Sequence, residues 1–418
     1  MYSTLLLLSI LVSSTALPPL PALNIDPLRV SVSGISSGAD LAAHLAVAYA
    51  DLFSGAAIFA GEPWLCAVTR FPQEPLLTCA SSPSGPGCVG FPGAAPCLGC
   101  PQGSTLTYDH CKQPAEPLGP GWVNVTMLTA AARAAAAEGL VSPVALLARS
   151  RVLVYRGTHD TVYLAGSVNR TAEFFAAFAP PGQQALVLGV PSAHALPTVD
   201  PAVSPLSCAE PKLGPPAMAN CGFDGAGAAL THFYGAAALR PPAAPGCDAA
   251  CAARVAAFAQ APYFAPGWAG GELSSVGYVH VPEACAAGAP CGLHVSLHGC
   301  GMSVHSPAMG RNYTLYSGFN VWGEANHIVT LYPQSGGFLE RGETGPSGQL
   351  TAGCFDGAGP RAVAGAPALL ASLAPPHPPA PLHSPPPAGY GQTRADYAYR
   401  TGPQLAAVAN MVHALMGK

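Results

Sequence analysis

Short apolar runs rich in β-branched residues give way repeatedly to stretches of helical periodicity, and this alternation limits the fold more than any other feature of the chain. "LRVSVSG" (28–34) alternates as a strand does, and "ADLAAHLAVAYADLF" (39–53) carries a stripe of leucine, valine and alanine at helical spacing. "SGAAIFAG" (54–61) and "RVLVYRG" (151–157) read as buried strands; the helical "NRTAEFFAAFA" (169–179) then leads to the strand "ALVLGV" (185–190). Farther on, "VGYVHVP", "LHVSLHG" and "IVTLYPQ" are strands, and "PQLAAVANMVHALMG" is a closing amphipathic helix. Strands that alternate with helices predict an α/β fold, a mostly parallel sheet covered by helices on both faces. In such sheets ligands sit beyond the carboxyl ends of the strands.

With 418 residues, 50% of them hydrophobic, the chain can bury a large core. Only 9% of residues are charged and the net charge is −4, which excludes the basic footprint of a nucleic-acid binder. The run "TLLLLSILVSSTA" (4–16) is too short to span a bilayer and ends in small residues, so residues 1–16 read as a signal peptide, although no Lys or Arg precedes it. All 14 cysteines lie downstream, and an even count after such a leader predicts disulfides, secretion and no membrane contact after cleavage. Sequons at Asn124, Asn169 and Asn312 suit a glycosylated surface. Residues 17–418 are expected to form one catalytic domain, with a Cys-rich loop region at about 62–121 and a Pro-rich insertion at about 359–390. Cys97-Leu98-Gly99-Cys100 has no second pair at metal spacing and is expected in disulfides rather than around zinc.

Gly34-Ile35-Ser36-Ser37-Gly38 matches G-x-S-x-G, the sharp strand-to-helix turn that exposes a nucleophilic serine. In a chain with 47 Gly the pattern has little weight alone, but here a strand precedes it and a helix follows. A serine hydroxyl needs an imidazole to take its proton, and the imidazole needs a carboxylate to hold its tautomer. Ser36, Asp160 and His194 occur in the order Ser, acid, His, each just after a predicted strand. His298 is the rival base, and it reads better as shaping a turn that supplies an oxyanion donor. Backbone N–H groups of Ser37 and Cys300 are the expected oxyanion hole.

"SGISSGADLAAHLA", "RGTHDTV", "SAHALPT", "NCGFDGAG", "LHVSLHGC", "LYPQ" and "GPQLAAVANMV" together resemble the secreted single-domain poly(3-hydroxybutyrate) depolymerases, whose catalytic domain is a circularly permuted α/β-hydrolase. The resemblance accounts for "LHGC" following the triad instead of preceding the nucleophile. It implies Ser36 as nucleophile, Asp160 as acid, His194 as base, Ser37 and Cys300 as oxyanion donors, and no cofactor. Where those enzymes tend to carry a Trp-rich run, this chain has Gly353-Cys354-Phe355-Asp356 followed by the Pro-rich insertion. Trp64, Trp122, Trp268 and Trp322 are scattered and expected to be core or loop anchors. Disulfides are expected between Cys300 and Cys354, and between Cys285 and Cys291 across the short "AAGAP" turn.

The expected activity is that of a secreted serine esterase acting on poly(3-hydroxybutyrate)-like polyesters or short hydroxyacid esters through an acyl-enzyme. Two alternatives stay open on sequence: an acetyl or feruloyl esterase acting on polysaccharides, and a catalytically inactive matrix glycoprotein on the same scaffold.

Overall fold

The computed structural model describes residues 17–66, 77–82, 85–90, 111, 123, 125–203, 208, 218–266, 273–342, 353–356 and 397–418. The leader, Asn124, Trp122, Trp268, the Cys97/Cys100 pair and the Pro-rich insertion lie outside the described residues.

Strands run in chain order as β1 (Ile25–Ile35), β2 (Gly55–Phe59), β3 (Leu77–Ser82), β4 (Gly85–Gly90), β5 (Arg151–Tyr155), β6 (Gln184–Val187), β7 (Leu196–Pro197), β8 (Met218–Ala219), β9 (Val255–Ala259), β10 (Val276–His280), β11 (Cys291–Leu297) and β12 (Ile328–Tyr332). Eight of them form one sheet in the order β6-β5-β2-β1-β11-β12-β10-β9. The six from β6 to β12 are parallel, while β10 and β9 close one edge antiparallel. β11 lies beside β1 despite the long stretch of chain between them, as the permuted α/β-hydrolase order requires.

Three differences from the sequence reading have physical causes. β9 is "VAAFA", too rich in alanine to show a strand period, and it is made a strand by pairing with β10. The Cys-rich region, expected to be loop, contains the β3–β4 hairpin, because "LTCASS" supplies strand formers that the surrounding Gly and Pro obscure. The helix after the elbow, α1 (Ser37–Ala48), was expected to be amphipathic, yet all of its residues are buried. Its small alanines admit the Pro403–Leu415 helix and the segment before it: His44 meets the Tyr397 ring edge-on at 5.1 Å, and Trp64 Nε1 donates to the Ala398 carbonyl at 3.0 Å.

Because parallel strands β1, β2, β5 and β6 step in one direction across the sheet, the general right-handedness of such crossovers puts α1 and the Ala165–Ala176 helix on one face. The Gly225–Tyr234 and Phe319–Asn326 helices pack together on the other. Asp224 caps the first of these, accepting from Gly227 N at 2.8 Å and from Trp322 Nε1 at 2.8 Å, so Trp322 is an anchor, as is the fully buried Trp64. No helix among the described residues is long and apolar enough to cross a membrane.

Five disulfides join described residues: Cys66–Cys111, Cys208–Cys221, Cys247–Cys251, Cys285–Cys291 and Cys300–Cys354, the last two being those expected. Phe174, fully buried, packs on Trp64, Phe175 and Phe178. Its replacement by Ala is expected to cost about 3–5 kcal/mol, read as a lower urea midpoint under non-reducing conditions.

Candidate active site

The turn at Ser36 is closed by contacts that only glycine permits. A Cβ on Gly34 would lie 2.0 Å from the Gly38 carbonyl oxygen, and one on Gly38 would lie 2.4 Å from the carbonyl oxygens of both Leu297 and His298. Ser36 itself adopts φ 57°, ψ −128°, a conformation costly for a residue with a Cβ. The turn is held by Ser36 N–H donating to the Phe59 carbonyl at 3.1 Å, and by Ala39 N–H and Asp40 N–H donating to the Ser36 carbonyl at 2.7 and 3.0 Å. Ser36 Oγ makes no hydrogen bond among the described residues, and the side chain is just short of fully buried.

The carboxyl end of β5 carries Asp160. Its Oδ1 accepts from Val162 N and Tyr163 N at 2.8 and 2.9 Å, and its Oδ2 faces His194 Nδ1 at 2.9 Å. The carboxylate thus takes three hydrogen bonds, and as an acceptor it directs Nδ1–H of His194 at itself, which leaves Nε2 as the acceptor nitrogen. Burial on its own would raise the Asp160 carboxyl, but the His194 ring and the two N–H donors outweigh it and hold the group below the ordinary aspartate value. Arg156 clamps the loop from behind, donating to the Tyr163 and Asp160 carbonyls at 2.7 and 2.6 Å. The His194 loop is fastened to the Asp160 loop by Thr158 N–H to the Val190 carbonyl at 2.8 Å, and by His159 N–H to the Ser192 carbonyl at 3.1 Å. His159 turns away, with Nδ1 near the Cys208 carbonyl at 3.3 Å.

The turn after β11 abuts the elbow: a Cβ on Gly299 would come within 3.2 Å of Ser36 Cβ. The N–H groups of Ser37, at the start of α1, and of Cys300, in this turn, donate to no group in the described protein. His298 accepts from Ser335 N at 3.1 Å through Nε2 and donates through Nδ1 to the Gly299 carbonyl at 2.8 Å; burial pulls it down to about 4. With both nitrogens committed it holds the turn and has none free to serve as a base.

A short segment straps the two N–H-bearing residues together. Cys354 is bonded to Cys300, and Phe355 N–H donates to Ser37 Oγ at 3.2 Å. Phe355 also packs on the His298 ring at 4.7 Å. The disulfide was legible in the sequence, whereas the Ser37 contact was not, since nothing in "SSG" distinguishes a serine whose hydroxyl accepts from a distant amide. Among the described residues no group of three or more His, Cys, Asp or Glu could hold a metal ion.

With this geometry in place, relatives are informative. No protein-family profile matches the chain. A polyhydroxybutyrate depolymerase of Talaromyces funiculosus is 30% identical over 326 residues, covering 77% of this chain and 79% of the relative. The chain belongs to the polyhydroxybutyrate depolymerase family. A poly(3-hydroxybutyrate) depolymerase of Delftia acidovorans is 27% identical over 94% of this chain, which spans 60% of that relative's length. The solved structure of a PHB depolymerase from Penicillium funiculosum is 25% identical, with a TM-score of 0.68 and coverage of 96% of this chain and 99% of that one. A further solved PHB depolymerase, a variant complexed with an R3HB trimer, shares the fold at 24% identity and a TM-score of 0.67 over 96% of this chain and 99% of its own.

Two outcomes follow from this geometry. Because the Asp160 carboxyl is depressed in the folded state, the stability it contributes is present above about pH 3.9, the unfolded value, and is lost as pH falls through the folded value. The gap in urea midpoint between wild type and Asp160→Asn should therefore narrow as pH is lowered from 7 to 3. Cys354→Ser should leave a Cys300 thiol that alkylates without reductant and lower kcat on a soluble ester by roughly 10-fold, less than loss of an oxyanion donor outright.

Proposed function

We propose that this chain is a secreted serine esterase that hydrolyses poly(3-hydroxybutyrate)-like polyesters and short hydroxyacid esters. The observation that carries the reading is the His194–Asp160 contact at 2.9 Å, set beside a strained Ser36 on a glycine-only turn, in a chain of this family. The trimer complexed with the solved PHB depolymerase variant supports the choice of polyester over polysaccharide ester. The disulfides suit an oxidising, extracellular setting.

In this mechanism His194 Nε2 takes the proton of Ser36 Oγ as that oxygen attacks the ester carbonyl. Asp160 keeps Nδ1 protonated and stabilises the imidazolium. The carbonyl oxygen, now negative, moves toward the two uncommitted N–H groups of Ser37 and Cys300, which need no reorganisation to receive it. Collapse expels the alcohol, protonated by His194, and leaves an acyl group on Ser36. Water, deprotonated by the same imidazole, then releases the hydroxyacid and restores the serine.

Ser36→Ala and His194→Ala should each lower kcat by roughly 10⁴ to 10⁶, with Asp160→Asn severe but milder. Each variant should keep the wild-type circular dichroism. The assay compares p-nitrophenyl butyrate, a polyhydroxybutyrate suspension and acetylated xylan. Turnover of xylan alone would redirect the substrate to polysaccharide esters, and more than a tenth of wild-type activity in Ser36→Ala would overturn the nucleophile.

A further inference from the structure

We propose that Tyr163 is a positioning residue of the reaction, holding the His194 imidazole and the Asp160 carboxylate in register with the helix that carries Ser36. The proposal rests on the triad reading above. Tyr163 is fully buried and contacts all three parts of the site through different atoms. Its ring lies parallel to that of His194, with centroids 5.5 Å apart and planes 11° apart. Its N–H donates to Asp160 Oδ1 at 2.9 Å. Its hydroxyl donates to Asp40 Oδ2 at 2.6 Å, and Asp40 sits in the first turn of α1 with its own N–H on the Ser36 carbonyl.

Asp40 extends the link to a third strand end. Its Oδ1 accepts from Glu62 N at 3.0 Å, just past β2. A single buried carboxylate thus takes one donor from the β2 exit and one from the Asp160 loop, while riding on the nucleophile helix. Asp160 and His194 hold one another through the Nδ1–Oδ2 hydrogen bond at 2.9 Å, and among the described residues neither side chain bonds the helix that carries Ser36. The Tyr163 hydroxyl supplies that link, and its ring supplies a flat wall against which the imidazole cannot tilt. Proton transfer from Ser36 Oγ depends steeply on the distance and angle to Nε2, so a shift of the ring is read in the chemical step more than in binding.

Tyr163→Phe keeps the wall and removes the tether; Tyr163→Leu removes both. On p-nitrophenyl butyrate, Tyr163→Phe should lower kcat about 10-fold per folded molecule with KM changed by less than about 2-fold, and Tyr163→Leu should lower it about 100-fold. Phe is thus a partial rescue of Leu. Asp40→Asn, which replaces the charge-assisted bond by a neutral one, should fall between wild type and Tyr163→Phe, and the double variant Asp40→Asn/Tyr163→Phe should be no worse than about 2-fold below the poorer single variant, since both act on the same hydrogen bond. A Tyr163→Phe enzyme with wild-type kcat, or losses in the double variant that multiply, would overturn the proposal. Tyr163→Phe is nearly isosteric, so it decides the matter even where Tyr163→Leu or Asp40→Asn fails to fold. His194→Ala assayed alongside separates the two levels. Turnover surviving in His194→Ala overturns the base and this proposal with it, whereas abolished turnover beside an unaffected Tyr163→Phe overturns this proposal alone.

Discussion

The site depends on one steric fact, the approach of Gly38 to the carbonyl oxygens of Leu297 and His298, where even a methyl group would lie 2.4 Å from each. Helix α1 starts at this contact, with Ser36 in the positive-φ corner between strand and helix. The same contact brings the Gly299–Cys300 turn against Ser36, so the Ser36 hydroxyl and the uncommitted N–H groups of Ser37 and Cys300 are gathered by one packing event. Hydrogen bonds then secure what sterics place. The strain at Ser36 is offset by three backbone bonds around it and by an entirely buried helix behind it.

Each remaining part of the site is tied to this centre by a different kind of bond. Asp160 and His194 belong to loops joined through backbone bonds, and they reach the nucleophile helix through Tyr163 and Asp40. The Gly299–Cys300 turn is joined to segment 353–356 covalently, and that segment returns to α1 through Ser37 Oγ. A site assembled from five stretches of chain requires such cross-ties, because each loop alone would wander by more than the few tenths of an ångström that proton transfer tolerates.

Much of this was legible in the sequence, for identifiable reasons. Strands β2, β5 and β12 are apolar runs and β1 and β11 alternate, all bounded by helix or turn signals, and such segments announce the strands of an α/β sheet. Ser36, Asp160 and His194 could be singled out because each follows a strand, a position that sequence order reveals, and the structure places Asp160 and His194 in contact. What stayed hidden depends on partners far away in the chain. "VAAFA" becomes a strand only beside β10, and α1 is buried all round only because residues 397–415 return over it. Tyr163 carries no signal of its own: its hydroxyl bonds a carboxylate 123 residues earlier, and a tyrosine after "HDTV" is otherwise an ordinary core aromatic.

The pairing of β1 with β11 raises a last question, since the alignment of Ser36 with Gly299 is only as good as the register of two strands so distant in sequence. Apolar packing alone sets that register weakly, because Val30, Val32, Val295 and Leu297 would bury as well after a slip of two. The polar groups between the strands do not tolerate one. Ser31 Oγ lies 2.9 Å from His294 Nδ1, Ser33 Oγ lies 2.8 Å from Nε2, and Tyr234 OH meets Ser31 Oγ at 3.0 Å. Burial pulls His294 down to about 3, so the ring is neutral and has one donor and one acceptor, both used. A slip would bury an imidazole and two hydroxyls without partners, each unmade bond costing about 1–3 kcal/mol. The register that satisfies them pairs Ser31 with His294 and Gly34 with Leu297. That pairing delivers Gly299 to the elbow, so a polar network in the middle of the sheet sets the geometry of the Ser36 turn above it.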